Sequence, residues 1–183
     1  MAARIDSLAL IESRLWQELQ QAAQQPGNEW RTMVLATVDG DEAQARSVVL
    51  REVDAAAREL IFFTDARSAK VAQIEARAVG TLLCWSSRIG WQLRLRVRMQ
   101  VQSSGLQVSS RWARLKLTPA AQDYLSPLPP GSPMAERLQP ERASRNHFAV
   151  VTAKVLCTDW LELHADGHRR ARFGADGAVW LQP

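Results

Sequence analysis

Residues 91–101 read WQLRLRVRMQV, a strict alternation. Trp91, Leu93, Leu95, Val97, Met99 and Val101 fall on one face of an extended strand, and Gln92, Arg94, Arg96, Arg98 and Gln100 fall on the other. A strand apolar on one side and cationic on the other belongs in a sheet with one face against the core. The rest of the chain is read around that strand.

Other strands follow from the same period and from turn residues. Residues 33–38 (MVLATV) and 46–51 (RSVVLR) flank an Asp39-Gly40 turn, and 59–64 (ELIFFT) and 79–86 (VGTLLCWS) add two more. Residues 147–157, 160–164, 168–173 and 178–181 close the chain around turns at 165–167 and 174–177. Helical spacing appears at 8–19 through Leu8, Ile11, Leu15, Trp16 and Leu19, then at 66–77 and 106–117. Thr118-Pro119 reads as cap and first residue of a short helix ending near Leu125. Residues 127–133 (PLPPGSP) form a loop, and 134–145 carry no readable period. The expected fold is mainly β with peripheral helices, a small antiparallel barrel of six to eight strands.

At 183 residues the chain is expected to be one domain. Its parts are an N-terminal helix (4–25), a barrel core (30–102 and 147–183) and a helical and loop insertion (103–146). No apolar run reaches bilayer length and the first residues lack a secretory signal, so the expected location is the cytoplasm, away from membranes. Cys84 and Cys157 read as small buried hydrophobes, or else as a disulfide or ligand pair, and no metal-site spacing occurs. The 23 basic residues are 20 Arg and 3 Lys. That bias fits bidentate pairing with phosphate or carboxylate, and equally a base composition in the source that favours Arg codons. Nucleic-acid binding is not expected, because few aromatic residues interleave with the basic stretches and acids are scattered among them.

Four places could carry chemistry. Arg46 and Arg51 end one strand, roughly 17 Å apart at ~3.3 Å per residue and on opposite faces; they are either strand-end cations in water or ligand contacts. The turn Thr64-Asp65-Ala66-Arg67-Ser68-Ala69-Lys70 sets two cations at the start of a helix, where they oppose the dipole unless an anion sits between them. Alternatively, Asp65 caps that turn and pairs with Arg67. Gln92, among Trp85, Ile89, Trp91 and Leu93, offers a donor and an acceptor suited to the edge of a heteroaromatic ring. The Arg94, Arg96, Arg98 ladder fits an anion site, a subunit interface or a solvated face, and Trp160 with the 168–173 run (HRRARF) fits a planar ligand or a solvated hairpin.

In that order these segments resemble the pyridoxamine 5'-phosphate oxidase-like family of FMN-binding split β-barrels. The 33–38 segment is similar to its first barrel strand, 46–51 to its R-x-V-L-L-[KR] segment, and Phe63-Thr64 to its aromatic-Thr pair. Arg67-Ser68-Ala69-Lys70 resembles its phosphate turn, Gln92 its flavin-contacting Gln, and Trp160 with His168-Arg169-Arg170 its final element. The resemblance implies that Arg46, Val48, Val49, Arg51 and Phe63 line FMN. It implies that Thr64, Arg67, Ser68 and Lys70 hold its phosphate or ribityl chain, and that Gln92 sits by the ring. It further implies a homodimer with FMN between subunits, so that Trp160 and Arg170 or Arg172 approach from the neighbouring chain.

The same resemblance marks departures. The substrate-phosphate set of the B6 oxidases, a Tyr, an Arg and a Ser, meets Trp112-Ala-Arg-Leu-Lys-Leu-Thr-Pro here. Ala171 stands near an expected His, and Ala69 where Arg is common. The expected function is an FMN-dependent oxidoreductase acting on a small substrate stacked on the flavin. The alternative is non-catalytic binding or sensing of flavin, haem or a deazaflavin. No Ser/His/Asp or Cys/His set appears, as expected where the cofactor carries the chemistry; no catalytic residue is assigned.

Overall fold

The computed structural model describes residues 4–134 and 147–183. The elements run α1 (Leu8–Gln24), β1 (Thr32–Asp39), β2 (Glu42–Asp54), β3 (Glu59–Asp65), α2 (Ala69–Ala76), β4 (Val79–Ser86), β5 (Trp91–Gln102), α3 (Leu106–Leu115), a 3-10 helix (Pro119–Tyr124), β6 (Phe148–Glu162), β7 (Arg169–Gly174) and β8 (Gly177–Leu181). Apart from Met134, the unassigned 134–145 stretch lies outside the described residues, as does the end of the 103–146 insertion.

All the strand pairings are antiparallel, in the order β3-β2-β1-β4-β5-β6-β7-β8, and β3 also pairs with β6. That last pairing closes six strands into a barrel, while β7 and β8 continue outward from the second half of β6. The alternation of β5 is realised residue by residue: its odd positions 91–99 are buried, and Arg94, Arg96 and Arg98 are exposed. Closure pairs the β3 edge that an open sheet would present and leaves β8 as the outer edge of the extension.

The strand β6 is continuous where the sequence suggested a break at 158–159. Arg96 pairs with Cys157 and Val97 with Val155, so Leu156 is one extra residue on β6. Such a bulge reverses which residues point inward. Val151, Ala153 and Val155 face the core before it, and Thr158, Trp160 and Glu162 are buried after it. A second bulge falls between Leu50 and Glu52 in β2 and makes Arg51 the extra residue. Two helices are shorter than expected. Residues 66–68 form a turn before α2, and α3 ends at Leu115, where Thr118 Oγ1 returns a bond of 2.8 Å to the Leu115 carbonyl.

Ile11, Leu15, Trp16 and Leu19 of α1 join the barrel core with Trp30, Leu50, Phe62, Trp91 and Trp160. Each fully buried side chain of this size contributes ~1.5–3 kcal/mol. A smaller cluster lies outside the barrel, where α3 and the 3-10 helix cover Ile61, Phe148 and Val150. The β4–β5 turn is held by Gly90, at φ +67, where a Cβ would come within 2.6 Å of the Leu163 carbonyl oxygen. Among the described residues, no helix is long and apolar enough to cross a membrane.

Candidate functional site

Among the described residues, five of the nine buried polar side chains, Thr37, Thr64, Asp65, Ser68 and Gln73, come from the end of the barrel under α2. Strand alternation points Met33, Leu35 and Thr37 of β1 inward, and likewise Arg46, Val48 and Leu50 of β2. At this end the core pattern turns from apolar to polar. Ile74 anchors α2 in the core, so Lys70 and Gln73 stand over the barrel mouth one turn apart.

The hydroxyls of Thr64 and Ser68 are 3.1 Å apart, and Lys70 Nζ donates to Thr64 Oγ1 at 3.1 Å. Arg46 donates to Thr37 Oγ1 at 2.5 Å, to Gln73 Oε1 at 2.7 Å and to the Leu35 carbonyl at 3.3 Å. Both cations therefore bond only neutral groups among the described residues. Burial lowers the pKa of Lys70, the neighbouring Arg46 charge lowers it further, and Asp65 partly offsets both. Two half-buried positive charges without a carboxylate partner are costly, and a phosphate dianion would compensate both.

Arg67 takes the other course that the sequence allowed. Its guanidinium pairs with Asp65 at 2.7 Å and donates to the carbonyls of Ser126 at 2.9 Å, Pro127 at 3.3 Å and Leu128 at 3.3 Å. Asp65 Oδ1 also accepts from the Arg67 backbone N–H at 2.8 Å. These bonds make Arg67 a tie between the turn and the proline-rich loop.

Across the sheet, on the outer face, Arg51 lies over the Phe63 ring at 5.8 Å with its Nε buried and without a hydrogen-bond partner. Phe63 and Tyr124 each pack edge-on to Phe148, at 4.9 and 5.2 Å, and Trp112 completes the cluster. Burial raises the pKa of Tyr124 and the nearby Arg51 opposes that shift. Val49 is half-buried on this outer face, whereas the Val48 side chain belongs to the barrel core.

The remaining expected residues lie on the outer face of β5–β7. Register places Gln92, Leu161 and Arg170 in one row across the strands, and Arg94, Asp159 and Arg172 in the next. Arg170 and Arg94 pair with Asp159 at 2.6 and 3.0 Å, beside a groove of ≈ 910 Å³ that Arg96 and Arg172 also line.

Trp160 does not join them. It is 0% exposed, packed at 5.2 Å from Trp91 and 6.3 Å from Trp180, because the bulge at Leu156 turns it inward. The expected approach of Trp160 to a neighbouring chain is therefore corrected: its indole is held in the core of its own chain.

Thr37 and Gln73 escaped the sequence reading. The signal for Gln73 was its place one turn beyond Lys70 on α2.

The fold is a split β-barrel with a cationic mouth. Residues 13–103 match the family model described as "Pyridoxamine 5'-phosphate oxidase, FMN-binding domain". The chain belongs to that family as a distant member. It is similar to a pyridoxamine 5'-phosphate oxidase-related, FMN binding protein of Nostoc punctiforme, with 21% identity, 97% of this chain and 99% of that one covered, and a TM-score of 0.74. PhzG of Burkholderia lata, solved with tetrahydrophenazine-1-carboxylic acid, gives 17% identity, coverage of 99% and 100%, and a TM-score of 0.74. General Stress Protein 26 of Bacillus anthracis gives 16% identity, coverage of 80% and 93%, and a TM-score of 0.54. No curated protein matches the sequence.

Proposed function

We propose that this chain is an FMN-dependent oxidoreductase that acts as a cytoplasmic homodimer on a small substrate laid against the flavin. One observation carries the reading: Lys70 stands half-buried at the Thr64 and Ser68 hydroxyls with the Arg46 charge near it, and both cations have only neutral hydrogen-bond partners among the described residues. That donor set suits the FMN phosphate. When bound, FMN supplies the hydride or two-electron chemistry.

The chain's own residues bind and orient. Lys70, Thr64 and Ser68 hold the phosphate, with Arg46 adding the second charge. Arg51, Phe63 and Val49 form a wall on the other face of the sheet. Gln92, Arg170 and Arg172 lie on the outer face of β5–β7, while Lys70 and Thr64 occupy the barrel mouth. In the proposed dimer, Arg170 or Arg172 of one copy reaches the ligand held at the mouth of the other.

The test is an absorption spectrum of the purified protein, before and after FMN addition and dialysis, with sedimentation to read the assembly. Retained flavin bands and a dimer support the reading, and a colourless protein that releases FMN overturns it. A second reading, flavin binding without turnover, is favoured by Trp112. Its ring packs against Tyr124 and Phe148 in the segment where the family resemblance implies substrate-phosphate ligands. Turnover of pyridoxamine phosphate or another amine would exclude that second reading.

A further inference from the structure

Gln73 is 5% exposed and makes three side-chain hydrogen bonds, each of which constrains the next. Its Nε2 donates to Asp39 Oδ2 at 3.1 Å. A carboxylate only accepts, so this bond fixes the sense of the amide and leaves Oε1 on the other side. Oε1 then accepts from Thr37 Oγ1 at 2.7 Å and from Arg46 Nη2 at 2.7 Å. Because the Thr37 hydroxyl spends its hydrogen on Gln73, its lone pairs are available to Arg46 Nη1 at 2.5 Å. The guanidinium is gripped through both of its Nη groups by neutral oxygens. Asp39, the nearest carboxylate in this chain of bonds, is kept one side chain away from it.

We infer that Gln73 is a positioning residue, a neutral spacer between Asp39 and Arg46 that holds the guanidinium in place while leaving its charge uncompensated for an anionic ligand at the barrel mouth. This rests on the proposal that the mouth receives the FMN phosphate. An acid at position 73 would hold Arg46 equally well and consume the charge. A purely apolar residue would keep the charge and lose the grip. The amide does neither, and Asp39 ensures that it presents its oxygen rather than its NH2 group.

The test compares FMN with riboflavin, which lacks the phosphate, by quenching of flavin fluorescence in the wild-type protein and in Gln73→Glu and Asp39→Ala. In Gln73→Glu, FMN affinity is expected to fall by at least about tenfold, the worth of one charge-assisted contact, while riboflavin affinity changes less than about twofold. Asp39→Ala, which lets the amide turn over, is expected to lower FMN affinity in the same selective way by a smaller factor. A merely structural role would weaken both ligands alike or neither, and either result overturns the inference. Wild-type protein that binds neither flavin overturns the parent proposal, a result distinct from wild-type binding with an unchanged FMN-to-riboflavin ratio in the variants.

Discussion

Replacing Lys70 by Met separates what the residue does for the fold from what it does for a ligand. In the folded chain Lys70 is half-buried, bonds the Thr64 hydroxyl at 3.1 Å and lies beside the Arg46 charge. The bond to Thr64 favours folding by ~1.5–3 kcal/mol as a hydrogen bond to a charged group, but desolvation and the like charge work against it. These contributions oppose one another at similar size. Lys70→Met should therefore change the stability of the ligand-free protein by no more than about 1 kcal/mol in urea unfolding.

A phosphate at the mouth reverses the balance, because Lys70 then gains a charged partner. FMN affinity should fall by the same ~1.5–3 kcal/mol, or roughly ten- to a hundredfold, in a fluorescence titration. The pH profile gives a third readout. The pKa of Lys70 is lowered from 10.5 in the folded state, so between its folded and unfolded values the unfolded chain binds more protons and stability rises with pH. That alkaline rise should vanish in Lys70→Met. A variant that loses several kcal/mol of stability yet binds FMN as tightly as the wild type would refute the reasoning.

Glu162 accepts from Arg4, Arg169 and the Trp91 indole, and although burial alone would raise its pKa, those bonds bring it to about 2. Stability should consequently fall as pH drops from 4.5 toward 2, and Glu162→Gln should cost ~3–5 kcal/mol at neutral pH while flattening that acid limb in thermal melts. Gly90→Ala combines a left-handed φ of +67 with a Cβ 2.6 Å from a backbone oxygen, and should lose ~2–4 kcal/mol in urea unfolding. Gly27→Ala, at φ +86 but with nothing within 4 Å, should lose only ~1 kcal/mol. Arg67→Ala leaves Asp65 buried without its partner and unties residues 126–128, so amide exchange in that loop should accelerate while the β5 amides stay protected.

The barrel was legible wherever one period ran unbroken. The β5 alternation gave a face to every residue, and the turn at Asp39-Gly40 set the β1–β2 pairing. Reading failed where the period changed inside an element. Leu156 is an ordinary apolar residue, and nothing local marks it as the one that shifts phase, so β6 looked like two strands and Trp160 looked exposed.

The candidate site was legible to the extent that it is local. Thr64, Ser68 and Lys70 fall within seven residues, and their hydroxyls and ammonium do converge. Whether Arg67 would serve the mouth or Asp65 depended on carbonyls some 60 residues away in sequence, at Ser126 and Leu128, which no local pattern contains. Thr37 and Gln73 were missed for the same reason, since each looks ordinary until β1, β2 and α2 bring them to Arg46.

The extra residue in β6 also marks where this chain can vary in length. Removing Leu156 would leave Val155 and Cys157 consecutive opposite Val97 and Arg96, a regular ladder in which Val155, Thr158, Trp160 and Glu162 all keep their inward places. One codon deleted inside β5, which has no extra residue to give up, would instead exchange buried side chains for arginines on one side of the deletion. The turn at 165–167, where Gly167 has nothing within 4 Å, has no such parity to protect. Changes of length in descendants of this chain have room to accumulate at that turn and at the bulge, and not within β5.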